Sequence, residues 1–600
     1  MCGLIGARGA VRHWHKPISS AIEGLSHRGP DAQGHFFVHD TLLGHVRLSI
    51  VDVANDLANQ PITDSETGNV LIFNGEIYNY QDLRSRYLGH RTFRSASDTE
   101  VLLYLLCDLG LEKTLSVISG MFAFALFRSE DRRLILARDP IGKKPLFYTE
   151  DANGTFLFGS EVKALRLLGK SLEPSKSAVL NFMFERTFGY RNASFFDGVK
   201  QVEAGTYLSV DHELRTETVR YWNPGHISRS ALDYNTAVRD FFTHLTRATL
   251  SRIPDEVPFA ILLSGGLDSS AIAALAARNS GRDRIATVSA VYPSDPADES
   301  RYADQVLAMH PQLDPVKVEI STDHFNEAWQ ATTWAMEAPA PDGSMISHHL
   351  LMRKIREMGL KVVLSGNGGD EILAGYANTF VPAGNVNALR NLDFAGLSGD
   401  ALTATAFHCL PDSLKNAVFR RRHRAKNFLR DPADLDLLET RYVAAGGHDI
   451  VARYAMHTLT HWTTPGFVWY EDRNAMASSI EARSPFYDRA LVEFALSLPG
   501  SYLVRRGLTK RILRDAIRDI VPGGIVDRRD KQGFHAPIKT WMNAHYRDPL
   551  SDREFVDAFA WLDMPRIMQS GFLHVWRLLA LHVWFRCFWP EHGSDPTFRY

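Results

Sequence analysis

The sequence predicts an α+β unit of layered antiparallel sheets, followed by an α/β unit with a parallel sheet and a largely helical remainder. Up to about Val210, short apolar runs lie between turn residues, a pattern typical of antiparallel strands. Beyond about Phe259, apolar runs alternate with helical patterns, which indicates a parallel sheet covered by helices. From Ile372 onward the pattern is mostly helical.

The elements follow in order along the chain. In the first part, we predict strands at 70–73, 121–127, 133–137, 145–148 and 155–158, with helices at 18–25 and 99–109. In the second part, we predict strands at 259–263, 285–291, 316–320 and 361–364, with helices at 269–278 and 299–309 and a helical stretch ending near Met358. A polar stretch after Tyr221 favours a linker, so the predicted division is 2–215, a linker over 216–240, and 241–600.

Size and composition exclude several classes of protein. A chain of 600 residues corresponds to roughly two to four domains at about 150 residues each. The 67 basic and 69 acidic residues give a net charge of −2, which argues against a nucleic-acid-binding protein. The 45% of hydrophobic residues is typical of globular chains, and we predict no membrane segment because Arg577 and Arg586 interrupt the most apolar stretch. Four cysteines form no disulfide framework, so we expect a cytoplasmic protein.

Cys2 is the first candidate catalytic residue. Removal of Met1 would give this cysteine a free α-amino group, and an amine with a pKa near 8 is able to take the thiol proton. A cysteine at this position also occurs by accident. The pattern alone therefore leaves the nucleophile and the accident as alternatives.

Other residues make the first part of the chain resemble the glutaminase domain of class II glutamine amidotransferases over roughly residues 2–168. These are Arg47, the Asn74-Gly75-Glu76 run and Asp98. The resemblance implies an N-terminal-nucleophile fold with αββα layers. It also implies that Arg47 binds the α-carboxylate of glutamine and that Glu76 and Asp98 bind its α-ammonium group. Asn74 and Gly75 would stabilise the oxyanion, although Asn-Gly is by itself more typical of a hairpin turn.

A glycine-rich loop runs from a predicted strand into a helix at Ser264-Gly265-Gly266-Leu267-Asp268-Ser269-Ser270. Glycines allow backbone N–H groups to approach a phosphate, and the helix N-terminus adds positive potential. The loop lacks the lysine of a Walker A motif and matches the loop of synthetases that release AMP and pyrophosphate. A second loop with Asp370 follows the strand at 361–364. Asp268 and Asp370 are therefore predicted to hold Mg²⁺ on pyrophosphate.

With both sites on one chain, the sequence resembles glutamine-hydrolysing asparagine synthetases over nearly its whole length. The resemblance implies ATP and Mg²⁺ as cofactors and a carboxylate, aspartate or another acid, as acceptor of ammonia from glutamine. It implies that Lys510 neutralises charge on the phosphates and that the enzyme is a homodimer. The residues implied to bind ATP are Leu263, Ser264, Gly265, Gly266, Asp268, Ser269, Ala290, Ser365 and Gly366.

Two departures from the family pattern concern the acceptor site. Asn367 stands where the family usually has glutamate, and an amide is unable to act as a general base. His348 and His349 follow Ser347 where the family shows other residues, and they either line the acceptor site or pack elsewhere. These candidates leave aspartate and a non-aspartate acid of a specialised pathway as alternatives. A cyclase that uses an internal amine is a third, but such an enzyme has no need of the glutaminase residues.

Overall fold

A computed structural model describes most of the chain. The described residues are 2–9, 15–151, 153–185, 188, 192–293, 295, 298–399, 401–410, 414, 424–438, 449–529, 536–539 and 548–590. Within this part of the chain, no helix is both long enough and apolar enough to cross a membrane.

Two antiparallel sheets build the amino-terminal unit. The strands are β1 Cys2–Arg8, β2 Ala32–Val38, β3 Thr41–Arg47, β4 Ile62–Thr63, β5 Val70–Ile77, β6 Gly120–Arg128, β7 Arg133–Arg138, β8 Phe147–Glu150, β9 Phe156–Gly159, β10 Lys200–Gln201, β11 Thr206–Val210 and β12 Thr216–Arg220. The first sheet has the order β10-β8-β9-β1-β3-β2, and the second has the order β12-β11-β7-β6-β5-β4.

Helices cover the outer faces of these two sheets. They are α1 His15–Glu23, α2 Tyr80–Tyr87, α3 Asp98–Asp108, α4 Leu111–Val117, α5 Val162–Leu167 and α6 Lys176–Leu180, with a π-helical turn at Asn181–Glu185. The inner faces pack on each other through apolar side chains such as Leu4, Ile72 and Phe127. Leu103 of α3 packs outside the second sheet, and Ile18 of α1 packs outside the first. The predicted αββα layers are thus confirmed.

A parallel sheet forms the centre of the carboxy-terminal unit. Its strands are β13 Phe259–Leu262, β14 Ile285–Val291, β15 Leu313–Glu319, β16 Val362–Leu364 and β17 Glu481–Arg483, in the order β15-β14-β13-β16-β17. Every described pairing in this sheet is parallel, as the alternation of strands and helices predicted. Edge strand β15 contains Pro315, which an edge tolerates because one side of the strand has no ladder.

Many helices surround this sheet. They are α7 Tyr234–Leu250, α8 Leu267–Asn279, α9 Ser300–Met309, α10 Thr322–Met336, α11 Ser344–Glu357, α12 Gly369–Ile372, α13 Ala377–Arg390, α14 Leu402–His408, α15 Ile450–Thr460, α16 Thr464–Ala477, α17 Arg489–Ser497, α18 Gly500–Leu503, α19 Arg511–Ala516, α20 Gly523–Val526, α21 Arg553–Ala558, α22 Met564–Met568 and α23 Phe572–Phe588. Short 3₁₀ turns occupy Asp56–Ala58, Pro224–His226, Phe394–Gly396, Arg424–Asn427, Pro432–Leu437, Pro485–Tyr487 and Pro549–Ser551.

Two predicted segments differ in detail. The helical stretch expected to end near Met358 is two helices, α10 and α11, because Pro339 and Pro341 lie between them and a proline does not continue a helix. The predicted linker at 216–240 contains β12 of the second sheet and the first turns of α7, so the irregular connection is shorter than expected.

The two units share one interior. Leu48 and Ile50 of the amino-terminal unit pack with Ile261 and Leu364 of the parallel sheet. Phe147 of β8 packs edge-on against Trp469 of α16, and the buried helix α23 contributes Trp584 to the same cluster. The faces between the two units are therefore core, and polar groups buried there require partners.

Candidate functional site

Cys2 lies at the start of β1, opposite Arg47 of β3 in the antiparallel register. Its backbone N–H donates a hydrogen bond to Asn74 Oδ1 at 3.0 Å. Burial raises the pKa of the Cys2 thiol, whereas the positive amino terminus, the backbone of Leu48 and the Arg47 guanidinium oppose that shift. The buried thiol is therefore protonated at rest and needs a base when it attacks a substrate.

The Arg47 side chain is held by the loop that follows β3. Its guanidinium donates to the carbonyls of Val51 and Asp52 at 3.1 and 2.9 Å and to Asn59 Oδ1 at 2.9 Å. These contacts fix the fork of the guanidinium beside the cysteine. With the Asn55 carbonyl at 3.2 Å, these contacts use all four terminal N–H groups of the fork, so a carboxylate would bind there by replacing some of them.

Asn74 and Gly75 lie within strand β5 rather than in a hairpin turn. Asn74 Nδ2 is buried and has no hydrogen-bond partner among the described residues, so this donor is available next to the Cys2 backbone. A Cβ atom at Gly75 would lie 2.1 Å from the Met121 carbonyl oxygen, so only glycine fits there. The hairpin alternative for this dipeptide is wrong, because β5 pairs with β6 through both residues.

Two carboxylates from different elements face the same space. Asp98 begins α3 and accepts a hydrogen bond from the Ile77 N–H at 2.9 Å. Burial raises the pKa of Asp98 to about 6. Burial also raises the pKa of Glu76 well above its ordinary value, and the guanidinium of Arg483, which binds Glu76, opposes that shift.

Except for Asn74, these residues line a cavity of about 30 Å³. Its wall includes the predicted residues Cys2, Arg47, Gly75, Glu76 and Asp98. It also includes Glu481, which belongs to β17 of the carboxy-terminal unit. The cavity is therefore bounded by residues of both units.

The two glycine-rich loops meet at Lys510. Lys510 Nζ lies 2.5 Å from Asp268 Oδ2 and 2.5 Å from Asp370 Oδ1, and the lysine side chain is buried. Asp268 lies in the first turn of α8, and Asp370 lies in the first turn of α12. The backbone of Lys510 is left-handed, with φ of 52°, an uncommon conformation for a residue with a side chain and one that concentrates at functional sites.

Close packing of the two loops depends on Gly366. A Cβ atom at this position would lie 2.7 Å from the Ser269 backbone nitrogen. Between the loops and β14 lies a cavity of about 270 Å³. Of the predicted residues, those that line it are Leu263, Ser264, Gly266, Asp268, Ser269, Ala290, His348, Ser365, Gly366, Asn367 and Asp370. Gly265, Lys510 and His349 are not among its lining residues.

The structure separates the two candidate histidines. His348 lines the cavity and packs edge-on against Tyr470, and neither of its ring nitrogens has a partner among the described residues. His349 is buried away from the cavity wall. Burial lowers the pKa of His348 to about 3 and that of His349 to about 4. Both imidazoles are therefore neutral near pH 7.

Asp268 and Asp370 are the candidate ligands for a divalent cation. Among the described residues, no group of three or more His, Cys, Asp or Glu side chains could hold a metal ion. Two carboxylates on opposite loops are nevertheless a suitable donor set for Mg²⁺, which takes its remaining ligands from substrate phosphates and water. Lys510 shows that this pair already holds a positive charge.

Sequence reasoning missed several buried charges between the two cavities. Arg28 donates to the Cys2 carbonyl, to Glu161 and to Asp472 of α16. Lys143, in the turn before β8, binds Glu471 of α16. Apart from the contacts of Arg28 with Cys2 and Glu161, these partners lie more than 300 residues apart along the chain, so the local pattern around each residue does not predict the pairing. The sequence also contains a basic run at 420–426, a candidate binding surface for an acidic partner, and it lies mostly outside the described residues.

Comparison with known proteins agrees with this arrangement. The family model of the glutamine amidotransferase domain matches residues 1–222, and that of asparagine synthase matches residues 241–586. A putative glutamine-hydrolysing asparagine synthetase of Mycobacterium tuberculosis is 30% identical over 91% of this chain and 89% of its own length. Asparagine synthetase 1 of Bacillus subtilis is 27% identical over 90% and 88%. Amidase chyE of Penicillium rubens is 28% identical over 89% and 87%.

Proposed function

We propose residue roles for this chain on the premise that it belongs to the glutamine-hydrolysing asparagine synthetase family, to which its two matched regions and near-full-length relatives assign it. It is an asparagine-synthetase-like, ATP-dependent ligase that takes its nitrogen from glutamine. The observation that carries the proposed roles is the presence of two different cavities in one chain. One surrounds the Cys2 thiol. The other lies between the two glycine-rich loops, whose carboxylates Asp268 and Asp370 both contact Lys510.

In the first cavity, Cys2 would attack the side-chain amide of glutamine. The unpaired Nδ2 of Asn74 and the Gly75 N–H would stabilise the oxyanion that forms. Arg47 would bind the α-carboxylate, and Glu76 and Asp98 would bind the α-ammonium group. Hydrolysis of the resulting thioester returns the thiol and releases glutamate, and the nitrogen leaves as ammonia.

In the second cavity, ATP would lie with its phosphates between the loops of Ser264–Ser269 and Ser365–Gly366. Leu263 and Ala290 line the cavity beside the strands, where their backbone groups would contact adenine. Lys510 would neutralise charge on the phosphates. Mg²⁺, held by Asp268 and Asp370, would supply a Lewis acid for the pyrophosphate group.

The chemistry at the second cavity has two steps. An oxygen of the acceptor carboxylate bonds to the α-phosphorus, and the bond to pyrophosphate breaks. Ammonia then forms a bond to the acyl carbon, and the carbon–oxygen bond to AMP breaks with its electron pair. A proton passes from nitrogen to the departing phosphate. These steps give an amide, AMP and pyrophosphate.

The acceptor is either aspartate or another carboxylic acid, and one observation favours the second. Among the described lining residues, the acidic side chains are Asp268, Glu299, Asp342, Asp370 and Glu371, and no arginine or lysine lines the cavity. Aspartate carries an α-ammonium group that the acidic residues would suit, but also a second carboxylate that an arginine or lysine would suit. The neutral His348 and Asn367 instead suit an acceptor whose other end is uncharged or cationic.

A single incubation tests these roles. The purified protein is mixed with glutamine, ATP, Mg²⁺ and L-aspartate, and AMP, asparagine and glutamate are quantified together. Equal amounts of AMP and asparagine would establish aspartate as acceptor. Release of glutamate without AMP would show a working glutaminase beside a synthetase site that needs a different acid, and acceptors would then be screened by AMP release.

Three further proposals rest mainly on the family resemblance. The division into a glutaminase domain over 2–215 and a synthetase domain over 241–600 is tested by limited proteolysis of the connection. A homodimer is tested by sedimentation. All four cysteines are free thiols, which supports a reducing, cytoplasmic setting and is tested by fractionation of the producing cell.

A further inference from the structure

Glu471 is a fully buried carboxylate whose contacts link the two units. Its Oε2 accepts hydrogen bonds from Lys143 Nζ and from Ser484 Oγ, the latter at 2.9 Å. Its Oε1 accepts hydrogen bonds from Ser365 Oγ and from Asn367 Nδ2, the latter at 2.9 Å. Ser365 and Asn367 line the large cavity, whereas Lys143 comes from the amino-terminal unit.

The four donors use the whole hydrogen-bonding capacity of Glu471. An ionised carboxylate offers about four lone-pair sites and no donor. Each site here has a donor, and Lys143 offsets part of the penalty for burying the carboxylate, although burial also lowers the pKa of this lysine well below its ordinary value. Glu471 is therefore unsuited to take a proton from a substrate. Its arrangement is that of a group which holds its neighbours in place.

The neighbour that matters is Asn367. Because an ionised carboxylate only accepts hydrogen bonds, it fixes which end of the Asn367 amide faces it, namely Nδ2. The carbonyl oxygen Oδ1 lies on the other side of the planar amide. That oxygen has two lone pairs and is able to accept a hydrogen bond from a ligand in the cavity that Asn367 lines.

We propose that Glu471 and Lys143 are positioning residues for the amide-forming step: they hold Asn367 so that Oδ1 accepts a hydrogen bond from ammonia beside the acyl-adenylate. This inference rests on the proposed function. A hydrogen bond from one N–H to Oδ1 directs the nitrogen lone pair away from Asn367 and toward the acyl carbon. The carbonyl oxygen of an amide thus performs an orienting task that needs no proton transfer.

The role of Lys143 has a further implication. The lysine that pairs with Glu471 belongs to the same unit as Cys2. The amino-terminal unit therefore contributes Lys143, which supports the amide-forming site through Glu471 and does not line that cavity itself.

The test separates adenylation from ammonia use. The variants are Glu471→Gln and the double variant Lys143→Met with Glu471→Gln, which removes both charges and leaves no unpaired ion. The probes are ammonium chloride and L-aspartate, and ATP–pyrophosphate exchange reports adenylation. A glutamine side chain must present an N–H to one of its former donors, so it no longer fixes the Asn367 amide.

We expect the KM for ammonia to rise about tenfold, the effect of one lost hydrogen bond, and more AMP to be released per asparagine formed. Exchange should stay within about twofold of the unaltered protein. The control is Lys163→Met, another buried lysine of the amino-terminal unit, which pairs with Glu161 at 2.7 Å and lines neither cavity. An unchanged KM for ammonia, or equal falls in exchange and amide formation, would overturn the proposal.

A second measurement needs no acceptor. It therefore tests the inference separately from the proposed function. If the unaltered protein releases no AMP with aspartate, aspartate is not the acceptor, and thermal unfolding decides the inference. Asn367→Asp places a second carboxylate against Glu471 and should lower the Tm at pH 8 by at least about 2 °C. In the Glu471→Gln background the same change should have little effect. If Asn367→Asp lowers the Tm equally in both backgrounds, Glu471 does not hold residue 367.

Discussion

Arg483 connects the two cavities through opposite ends of one residue. Its guanidinium binds the carboxylate of Glu76, which lines the Cys2 cavity. Its backbone carbonyl accepts a hydrogen bond from the Ser365 N–H at 2.9 Å, at the start of the second phosphate-type loop. A shift in either site therefore acts on the same short strand, β17.

Replacement of Arg483 by Met should destabilise the protein strongly. The guanidinium is buried and also binds Glu481 at 2.6 Å and the Arg252 carbonyl at 2.8 Å. Its loss leaves buried carboxylates without a cation, which costs about 3–5 kcal/mol. Urea unfolding at pH 8 measures the loss, and adding Glu76→Gln should recover part of it. Arg215→Met, which breaks an exposed pair with Asp211, should leave the midpoint unchanged.

Replacement of Cys2 by Ala should abolish glutamine-dependent amide formation and spare amide formation with added ammonia. The thiol is needed only to release nitrogen, and the second cavity contains no part of it. Asparagine and glutamate are measured with each nitrogen source. Cys107→Ala, on α3 and outside the cavity of Cys2, should keep both activities. An enzyme whose product forms equally well without either nitrogen source would be a cyclase.

Replacement of Lys510 by Met should reduce ATP–pyrophosphate exchange by about 10²–10³-fold, the usual effect of removing one charge-stabilising group. Without the ammonium group, Asp268 and Asp370 face each other and repel the phosphates. Arginine should rescue poorly, because a single Nζ fits between the two carboxylates. Glutamine hydrolysis serves as the internal control. Exchange that survives in Lys510→Met would remove this lysine from the phosphate site.

The pH dependence of glutamine use should report Asp98. Its folded-state pKa is about 6, raised from the ordinary 3.8 by burial, so the carboxylate becomes protonated as pH falls through 6. The protonated group no longer pairs with the α-ammonium of glutamine. We therefore expect kcat/KM for glutamine to fall about tenfold per unit below pH 6. Asp98→Asn should give a lower value without that inflection, and an unchanged inflection would assign it to another group.

The local motifs could be predicted from the sequence, and the contacts between them could not. The phosphate-type loops are recognisable because a run of glycines after an apolar strand has a local physical meaning. Alternating patterns likewise predict the parallel sheet. Lys143 carries no such signal, since its partner Glu471 lies 328 residues further along the chain.

The same limit applies to the acceptor site. The sequence places His348 and His349 side by side, and only the turn of α11 decides that the first lines the cavity while the second does not. Glu481 likewise lies in the wall of the Cys2 cavity because of where strand β17 lies. Which residues line each cavity is decided by the packing of the helices and strands and not by residue type.

Strand β17 has a consequence for how such a protein can be inherited. A chain divided in the connecting stretch would yield one product without Glu481 and Arg483 and another without Lys143, so each would lack part of a cavity or its support. Two separate genes would have to preserve matching surfaces by independent mutation. A single reading frame transmits both partners of these buried ion pairs together, so a change in one partner is always inherited with its counterpart.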